Sequence, residues 1–188
     1  MNTFRRQLRI QTTQFYRQPD LTVVLENVFD PHNVSAVLRT ADAVGIHHVH
    51  IIIPPERRAD YRLGKKSSAS AIQWLNIHFH PDIPTCYANL RDQGLHILTT
   101  HLAHPAQSVY DINWTQPIAI VFGNEHNGIS PEAFHRADGN VIIPQVGMIQ
   151  SLNISVAAAI ILYEAFRQRM NVGRYFQRIC PSEFDSQL

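Results

Sequence analysis

Apolar runs and helical patterns alternate along the chain. Short, largely β-branched apolar runs predict strands at 21–27, 46–53, 95–100, 118–122 and 140–143, with a weaker candidate at 74–79. Apolar residues at helical spacing predict helices at about 4–16, 33–44, 84–93, 131–137 and 153–171. Because strands alternate with helices, the pattern predicts an α/β domain with a mainly parallel sheet flanked by helices.

The helix predicted at 33–44 carries signals at both ends. Asp30 or Asn33 can cap its start, and Gly45 suits its end. One face is apolar and would pack on the sheet: Val34, Val37, Leu38 and Ala41. The opposite face is polar: Ser35, Arg39 and Asp42. We therefore predict that Arg39 points outward with Asp42 near enough to orient it, although such a pair can also be purely structural.

The helix predicted at 153–171 is apolar on nearly all sides in its first half. Asn153 is its candidate N-cap, and Gly173 suits its end. Residues 154–162 must therefore be covered, either by the rest of the domain or by a second subunit. Arg167 and Arg169 follow near the C-terminus, where basic residues also favour the helix dipole.

Composition indicates one globular domain. The chain has 188 residues, of which 45% are hydrophobic and 16% charged. Its cysteines, Cys86 and Cys180, form neither a CxxC pair nor a disulfide framework, so we expect a reducing cytoplasm as its location. The segment MNTFRRQLRI has no apolar run of signal-peptide length, and no apolar run approaches the roughly 20 residues that span a bilayer.

The net charge is only +1, but the arginines and lysines are clustered. Residues 1–18 and 165–180 each contain four arginines and no acid, and a third basic cluster lies at 56–66. Three basic patches on a nearly neutral chain suit a phosphate backbone that is held at chosen points. Solvated terminal arginines would explain the same pattern.

Two loops that follow predicted strands could hold a ligand. FGNEHNGIS (122–130) follows one strand and contains Glu125, and 143–153 follows another and contains Ser151 and Asn153. A third loop, at 98–102, could form another wall of the ligand site. Open parallel sheets bind ligands at this end of their strands. Each loop alone could be a plain turn, and none is a dinucleotide or P-loop motif.

Other constellations carry less chemistry. The chain has 11 histidines, but no carboxylate or cysteine cluster accompanies them in the sequence, so we predict no metal site. There is no G-x-S-x-G elbow for a serine hydrolase, and neither cysteine has an activating context.

Three ordered segments resemble the motifs of the SpoU/TrmH branch of the SPOUT RNA methyltransferases. They are PHNVSAVLRTADAVG (31–45), FGNEHNGIS (122–130) and IPQVGMIQSLNISVA (143–157). RQPDLTVVLENV (17–28) is also similar to the opening of the TrmH subgroup, which methylates a guanosine of the tRNA D-loop. The resemblance covers about residues 19 to 175, nearly the whole chain.

The resemblance implies a fold, a cofactor and an assembly. It implies a single SPOUT domain over 1–188 with a C-terminal deep trefoil knot, divided into a basic N-terminal helix (1–18), a catalytic core (19–172) and a tail (173–188). S-adenosyl-L-methionine would bind in the knot, and a homodimer would form through the C-terminal helix. The residues expected to line the cofactor site are Thr100, Leu102, Gly123, Ile143 and Leu152.

The resemblance also implies methyl transfer to a ribose 2′-hydroxyl of RNA, with Arg39 in the central role. An arginine is a poor base because its pKa lies above about 12, so we expect Arg39 to orient the hydroxyl and to stabilise oxyanion charge. Asn33 and Glu125 would brace the motif loops, while Ser151 and Asn153 would lie near the reacting groups. The residues expected to contact RNA are Arg6, Arg9, Arg167, Arg169 and Arg174.

Three alternatives to a tRNA D-loop enzyme stay open. The chain could methylate ribosomal RNA or the tRNA wobble position, or it could be a non-catalytic RNA-binding module. Many relatives that act on ribosomal RNA carry an extra N-terminal domain, and we do not expect one here, because Leu21 opens the first predicted strand after only about twenty residues. Intact Arg39, Glu125, Ser151 and Asn153 argue against a module without catalysis.

Overall fold

The structure is a computed structural model that describes residues 3–59, 61, 63 and 72–175, without the side chains of residues 3, 5, 6 and 9. Five α-helices lie in these residues: α1 (Thr3–Phe15), α2 (Pro31–Ala43), α3 (Ile83–Asp92), α4 (Pro131–Arg136) and α5 (Ile154–Asn171). The strands are β1 (Leu21–Glu26), β2 (His48–Ile52), β3 (Asn76–His80), β4 (His96–Thr99), β5 (Gln107–Ser108), β6 (Ile118–Phe122) and β7 (Gly139–Ile142). A short 3-10 helix, Pro55–Arg57, follows β2.

The seven strands form one sheet in the order β3-β2-β1-β6-β4-β7-β5, and all neighbouring pairs are parallel. All residues of the central strands β1 and β6 are buried, as expected for a parallel sheet with both faces covered. Helices α2 and α5 contribute to the core on one face, and α3 and α4 pack on the other. The predicted α/β class with a flanked parallel sheet is confirmed.

The chain crosses the sheet repeatedly in its second half. From β4 it passes to β5 at the edge, returns to β6 in the centre and then moves out to β7. Strand β4 therefore lies between β6 and β7. This order is consistent with the C-terminal knot that the resemblance implies, and the threading itself stays a prediction.

The predicted elements agree closely with those observed, including the weaker strand candidate, which is β3. Two short elements, β5 and the 3-10 helix, were not predicted, because two or three residues are too few to show a periodic pattern of apolar positions. Asp30 caps α2 by accepting a hydrogen bond from His32 N, and Gly45 beyond the helix has φ +84°. The prediction for Ser35 was wrong: it is buried, because α2 packs against α5 as well as the sheet.

Within the described residues, no helix is both long and apolar enough to cross a membrane.

Candidate active site at the carboxyl ends of the strands

A cavity of about 480 Å³ lies where the loops after β4, β6 and β7 meet. These are the three loops that the sequence placed at strand ends. All five predicted cofactor residues line the cavity: Thr100, Leu102, Gly123, Ile143 and Leu152. Glu125, Ser151 and Asn153 line it too, and the first turn of α5 closes one side.

Three polar side chains beside the cavity, here called the polar triangle, join the three motifs through two hydrogen bonds: Asn33, Glu125 and Asn153. Asn33 Nδ2 donates to Glu125 Oε1 at 3.1 Å, and Asn153 Nδ2 donates to Asn33 Oδ1 at 3.1 Å. Asn33 is buried at the start of α2, whereas Glu125 and Asn153 are exposed. The side chains are separated by 92 and 120 residues along the chain, so only the fold brings them together.

Asn153 has a second task as the N-cap of α5. Its Oδ1 accepts from Ser155 N at 2.8 Å and from Ser155 Oγ at 2.6 Å, which leaves Nδ2 to reach Asn33. The start of α5 is therefore tied to the start of α2 through one amide. Ser151 is exposed on the cavity wall just before this turn.

Two asparagines that sequence reasoning missed hold the cavity loops. Asn124 donates to Asn27 O at 2.7 Å and accepts from His126 N at 2.9 Å, and so folds the loop after β6. Asn140 is buried in β7 and bonds the backbone of His101 and Ala103 beside the cavity. For Asn140, the available signal in the sequence was a single amide residue in the apolar run that predicts β7.

Gly123 is required by a close approach of two backbone segments. A Cβ atom there would lie 2.2 Å from the carbonyl carbon and oxygen of Gly128, and Gly128 itself has φ +66°. The loop after β6 closes on itself at this point, since Asn124 and Gly128 exchange backbone hydrogen bonds of 2.8 and 3.0 Å. Both glycines of the second motif thus have backbone roles in shaping the cavity wall.

Comparison with known proteins assigns the family. A model of the SpoU rRNA Methylase family matches residues 20–163. The chain belongs to this family. It is 48% identical over 161 residues to the tRNA (guanosine(18)-2′-O)-methyltransferase of Escherichia coli (strain K12), covering 86% of this chain and 69% of that protein. The family predicted from the three motifs is therefore confirmed.

Solved structures agree with the SpoU assignment. The crystal structure of the A. aeolicus TrmH/SpoU tRNA modifying enzyme superposes with a TM-score of 0.84 at 34% identity, covering 92% of this chain and 86% of that one. An AdoMet-bound rRNA methyltransferase from Sinorhizobium meliloti superposes with a TM-score of 0.65 at 25% identity, covering 80% and 60%. The predicted cofactor is thus bound by a solved relative.

Arg39 of this SpoU chain is exposed, as predicted, but its predicted partner is engaged elsewhere. Asp42 Oδ1 binds Arg17 Nη2 at 2.7 Å, and Arg17 also donates to Ile46 O and Trp74 O. The prediction that Asp42 orients Arg39 was therefore wrong. Arg39 forms no hydrogen bond or ion pair with the rest of the described chain, and it does not line the 480 Å³ cavity.

Arg169, predicted to contact RNA, lies inside the protein with a relative exposure of 0%. It makes five hydrogen bonds, to Trp114 O, Gln18 Oε1, Asp20 Oδ1, Asp20 O and Gln116 O. Burial alone would raise the pKa of Asp20, but the hydrogen bond and charge of Arg169 outweigh it and lower that pKa. The prediction for Arg169 was wrong, because this arginine ties α5 to the segments before β1 and β6.

The other predicted RNA contacts differ in exposure and in the acid with which each one pairs. Arg167 is exposed at 61% and forms a bidentate pair with Glu164. Arg174 is half-exposed and also pairs with Asp20. Arg6 and Arg9 belong to α1, but their side chains lie outside the described residues.

Three buried side chains that the sequence did not connect, His50, His80 and Cys86, lie with their donor atoms within 4.8 Å of one another. His50 Nδ1 and His80 Nε2 are hydrogen-bonded at 2.9 Å. Burial raises the pKa of the Cys86 thiol to about 12 and lowers the pKa of His50 to about 3. The cluster lies between α3 and the edge of the sheet, and these shifts favour a protonated thiol and a neutral His50.

Proposed function

We propose that this chain transfers a methyl group from S-adenosyl-L-methionine to the ribose 2′-hydroxyl of guanosine 18 in the D-loop of tRNA. The observation that carries the proposal is the triangle of Asn33, Glu125 and Asn153, which joins all three family motifs beside the 480 Å³ cavity that Glu125 and Asn153 line. The E. coli relative named for this reaction supports the choice of nucleotide.

The cavity fits the proposed cofactor in size and lining. Its 480 Å³ lies within the range of about 300–1,000 Å³ typical of small-molecule sites. Leu102, Ile143 and Leu152 offer apolar surface, while loop backbone and Ser151 offer hydrogen-bonding groups for a polar sulfonium compound. S-adenosyl-L-methionine supplies an electrophilic methyl group when it is bound.

The chain's own residues would position the attacking hydroxyl and manage its proton. In the reaction the 2′-oxygen bonds to the methyl carbon, the carbon–sulfur bond breaks, and the hydroxyl proton leaves to a nearby acceptor or to solvent. Ser151 and Asn153 lie on the cavity wall where the sugar would approach. Asn33, which is itself bonded to Glu125, holds Asn153 in place, and Arg39 would stabilise the charge that develops on oxygen.

A homodimer through α5 would reconcile the exposure of Arg39 with that role. Val156 and Tyr163 on α5 are exposed at 47% and 53%, so an apolar surface remains uncovered in the single chain. Helix α2, which carries Arg39, packs directly against α5. Pairing of two chains here would bring Arg39 close to the interface, from where it could serve the partner's cavity.

RNA binding would use the remaining basic residues rather than Arg169. Arg167 and Arg174 are accessible near the end of α5, and Arg6 and Arg9 would add charge from α1. We also propose that the second half of the chain is knotted, as the resemblance implies, with the domain divided at 1–18, 19–172 and 173–188. The absence of a disulfide framework in the sequence supports action in the cytoplasm.

Ribosomal RNA is the second candidate substrate. The family name and the S. meliloti relative both refer to rRNA. The greater identity to a tRNA enzyme over most of the chain favours tRNA.

The test is methylation with labelled S-adenosyl-L-methionine of three substrates: unmodified tRNA, the same tRNA with guanosine 18 replaced by adenosine, and deproteinised rRNA. We expect label in the first alone, mapped to the ribose of guanosine 18. Label in rRNA only would replace the proposed substrate. Cofactor binding without transfer to any RNA would instead favour a non-catalytic module.

A further inference from the structure

A second cavity, of about 510 Å³, opens on the outer side of the polar triangle. It is lined by Phe29, Asp30, Asn33 and Arg57, and it shares five residues with the first cavity: Asn124, Glu125, His126, Asn127 and Asn153. A third, of about 350 Å³, adjoins it and also has Phe29 and Arg57 in its wall. These two cavities form one cleft, the Arg57 cleft, beside the proposed reaction site.

Arg57 is the cation of this cleft, and its guanidinium is held by an aromatic ring rather than by an acid. Its Cζ lies 3.5 Å from the centroid of the Phe29 ring, and Phe29 in turn packs edge-on against Tyr61. Arg57 is exposed and forms no ion pair with any residue in the described ranges. Its N–H donors therefore remain available in a fixed orientation.

Arg58 also lies over an aromatic ring, that of Phe79, whereas Arg17 and Arg169 are held differently. Arg17 and Arg169 direct their N–H groups at carboxylates and backbone carbonyls of the protein. A guanidinium that is oriented but has its donors unused is suited to bind the oxygens of a phosphate.

Three acids line the same cleft and limit where a phosphate can lie. Asp30 Oδ1 accepts from His32 N, Glu125 Oε1 accepts from Asn33, and Glu26 Oε2 accepts from Ser130 N. These carboxylates repel a phosphate from the walls that they line, so the anion belongs at the Arg57 rim. The inner side, with its amides and carboxylates, suits the neutral sugar and the hydrogen-bond donors of a base.

We infer that the Arg57 cleft is the subsite for the target nucleotide of the RNA substrate, and that Arg57, oriented by Phe29, binds a phosphate of that nucleotide. The inference rests on the proposed function for the identity of the substrate. It adds a recognition residue from the 3-10 helix, outside the three family motifs and outside the RNA contacts predicted from the helix ends.

The test measures binding of unmodified tRNA without cofactor, as a function of salt. For Arg57→Ala we expect roughly tenfold weaker binding near 0.1 M salt and a salt slope reduced by about one phosphate contact. Arg57→Lys should keep the slope and recover part of the affinity, because the charge remains without the planar fork. Phe29→Leu should weaken binding less than Arg57→Ala and leave the slope unchanged.

Arg58→Ala is the matched control, since it removes the same charge from the next residue. The Arg58 guanidinium lies 3.3 Å above the Phe79 ring and lines neither cavity of the cleft. Equal effects of Arg57→Ala and Arg58→Ala would overturn the inference and leave only a diffuse basic patch. Cofactor affinity and thermal unfolding should match wild type in the Arg57 and Arg58 variants, so that a binding loss is assigned to RNA contact.

The two proposals fail separately. If wild type methylates tRNA but Arg57→Ala binds it normally, the Arg57 cleft is wrong and the proposed function stands. If Arg57→Ala weakens tRNA binding but wild type methylates no RNA, the phosphate contact stands and the proposed reaction is wrong.

Discussion

The two ends of the sheet carry similar polar residues with opposite consequences. At the amino end, Arg169 and Asp20 lie beside Gln18 and Gln116, and five hydrogen bonds satisfy one buried guanidinium. At the carboxyl end, Asn33 and Asn153 are bonded to each other, but their cluster borders open cavities. Saturated polar atoms hold elements together, whereas polar atoms beside a cavity remain able to bind a substrate.

The comparison teaches that the burial and bonding of a charged group decide its role more than its position in the sequence does. Arg167 and Arg169 are two residues apart near one helix end, yet one is exposed at 61% and the other at 0%. Helical geometry alone puts residues i and i+2 on different faces. The sequence did not say which of these faces the core would cover.

The largest expected effect is on the amino end, through Arg169→Met. Removing the guanidinium leaves Asp20 Oδ1 and three backbone carbonyls without this donor, although Asp20 Oδ2 still pairs with Arg174. We expect a loss of about 3–5 kcal/mol in the free energy of unfolding, measured by urea denaturation. Arg136→Gln, which removes an exposed pair with Glu132, is the control and should cost under about 1 kcal/mol. Equal losses of unfolding free energy in Arg169→Met and Arg136→Gln would contradict the distinction between a buried, fully hydrogen-bonded arginine and a surface one.

The second-largest expected effect is on methyl transfer at the carboxyl end of the sheet, through Arg39→Lys. If the guanidinium fork stabilises charge on the attacking oxygen, the rate of methyl transfer should fall about a hundredfold, or about 2.7 kcal/mol. Cofactor affinity and unfolding should not change, because Arg39 bonds to nothing else in the described part of the chain. Near-normal turnover of Arg39→Lys would rule out a role for the fork.

Acid should lower the free energy of unfolding through the buried histidine His50 of β2, rather than through the Arg169–Asp20 cluster or the polar triangle. His50 is 1% exposed, and burial, with the charges of His78, His80 and His48, lowers its pKa from 6.5 to about 3. The unfolded chain therefore takes up a proton below pH 6.5 that the folded chain resists. Stability is complete above pH 6.5 and falls as pH drops, by about 2 kcal/mol at pH 5.

Urea unfolding at pH 7.5 and pH 5 measures this loss. His48 and His80 also have lowered pKa values and act in the same direction. The lowered carboxyl pKa values of Asp20 and Asp138 matter only at more acidic pH. In His50→Gln the difference between the two pH values should shrink, and an unchanged difference would move the titration to other groups.

The smallest expected effect separates the two tasks of Asn153. Asn153→Ala removes the N-cap of α5 and should cost about 1 kcal/mol of folding stability. Asn153→Ser keeps a capping oxygen but loses the Nδ2 donor to Asn33, so stability should recover while methyl transfer stays reduced. A Ser variant that also restores the rate would limit Asn153 to capping.

Sequence patterns alone predicted most of the fold and the place of the site. The strands and helices follow from apolar period and from caps such as Asp30 and Asn153, which are local properties. The cavity follows from the rule that loops at the carboxyl ends of parallel strands meet. The five cofactor residues that the family resemblance implied do line one cavity, because each lies in one of these loops.

What tertiary structure decided is the bonding state of each polar group. Whether Asp42 serves Arg39 or Arg17, and whether Arg169 faces RNA or the core, depends on residues 25 and 149 positions away in the chain. Likewise, Arg57 becomes significant only because Phe29 and the polar triangle lie beside it. Periodicity and caps are set by neighbours in sequence, whereas desolvation and ion pairing are set by neighbours in space.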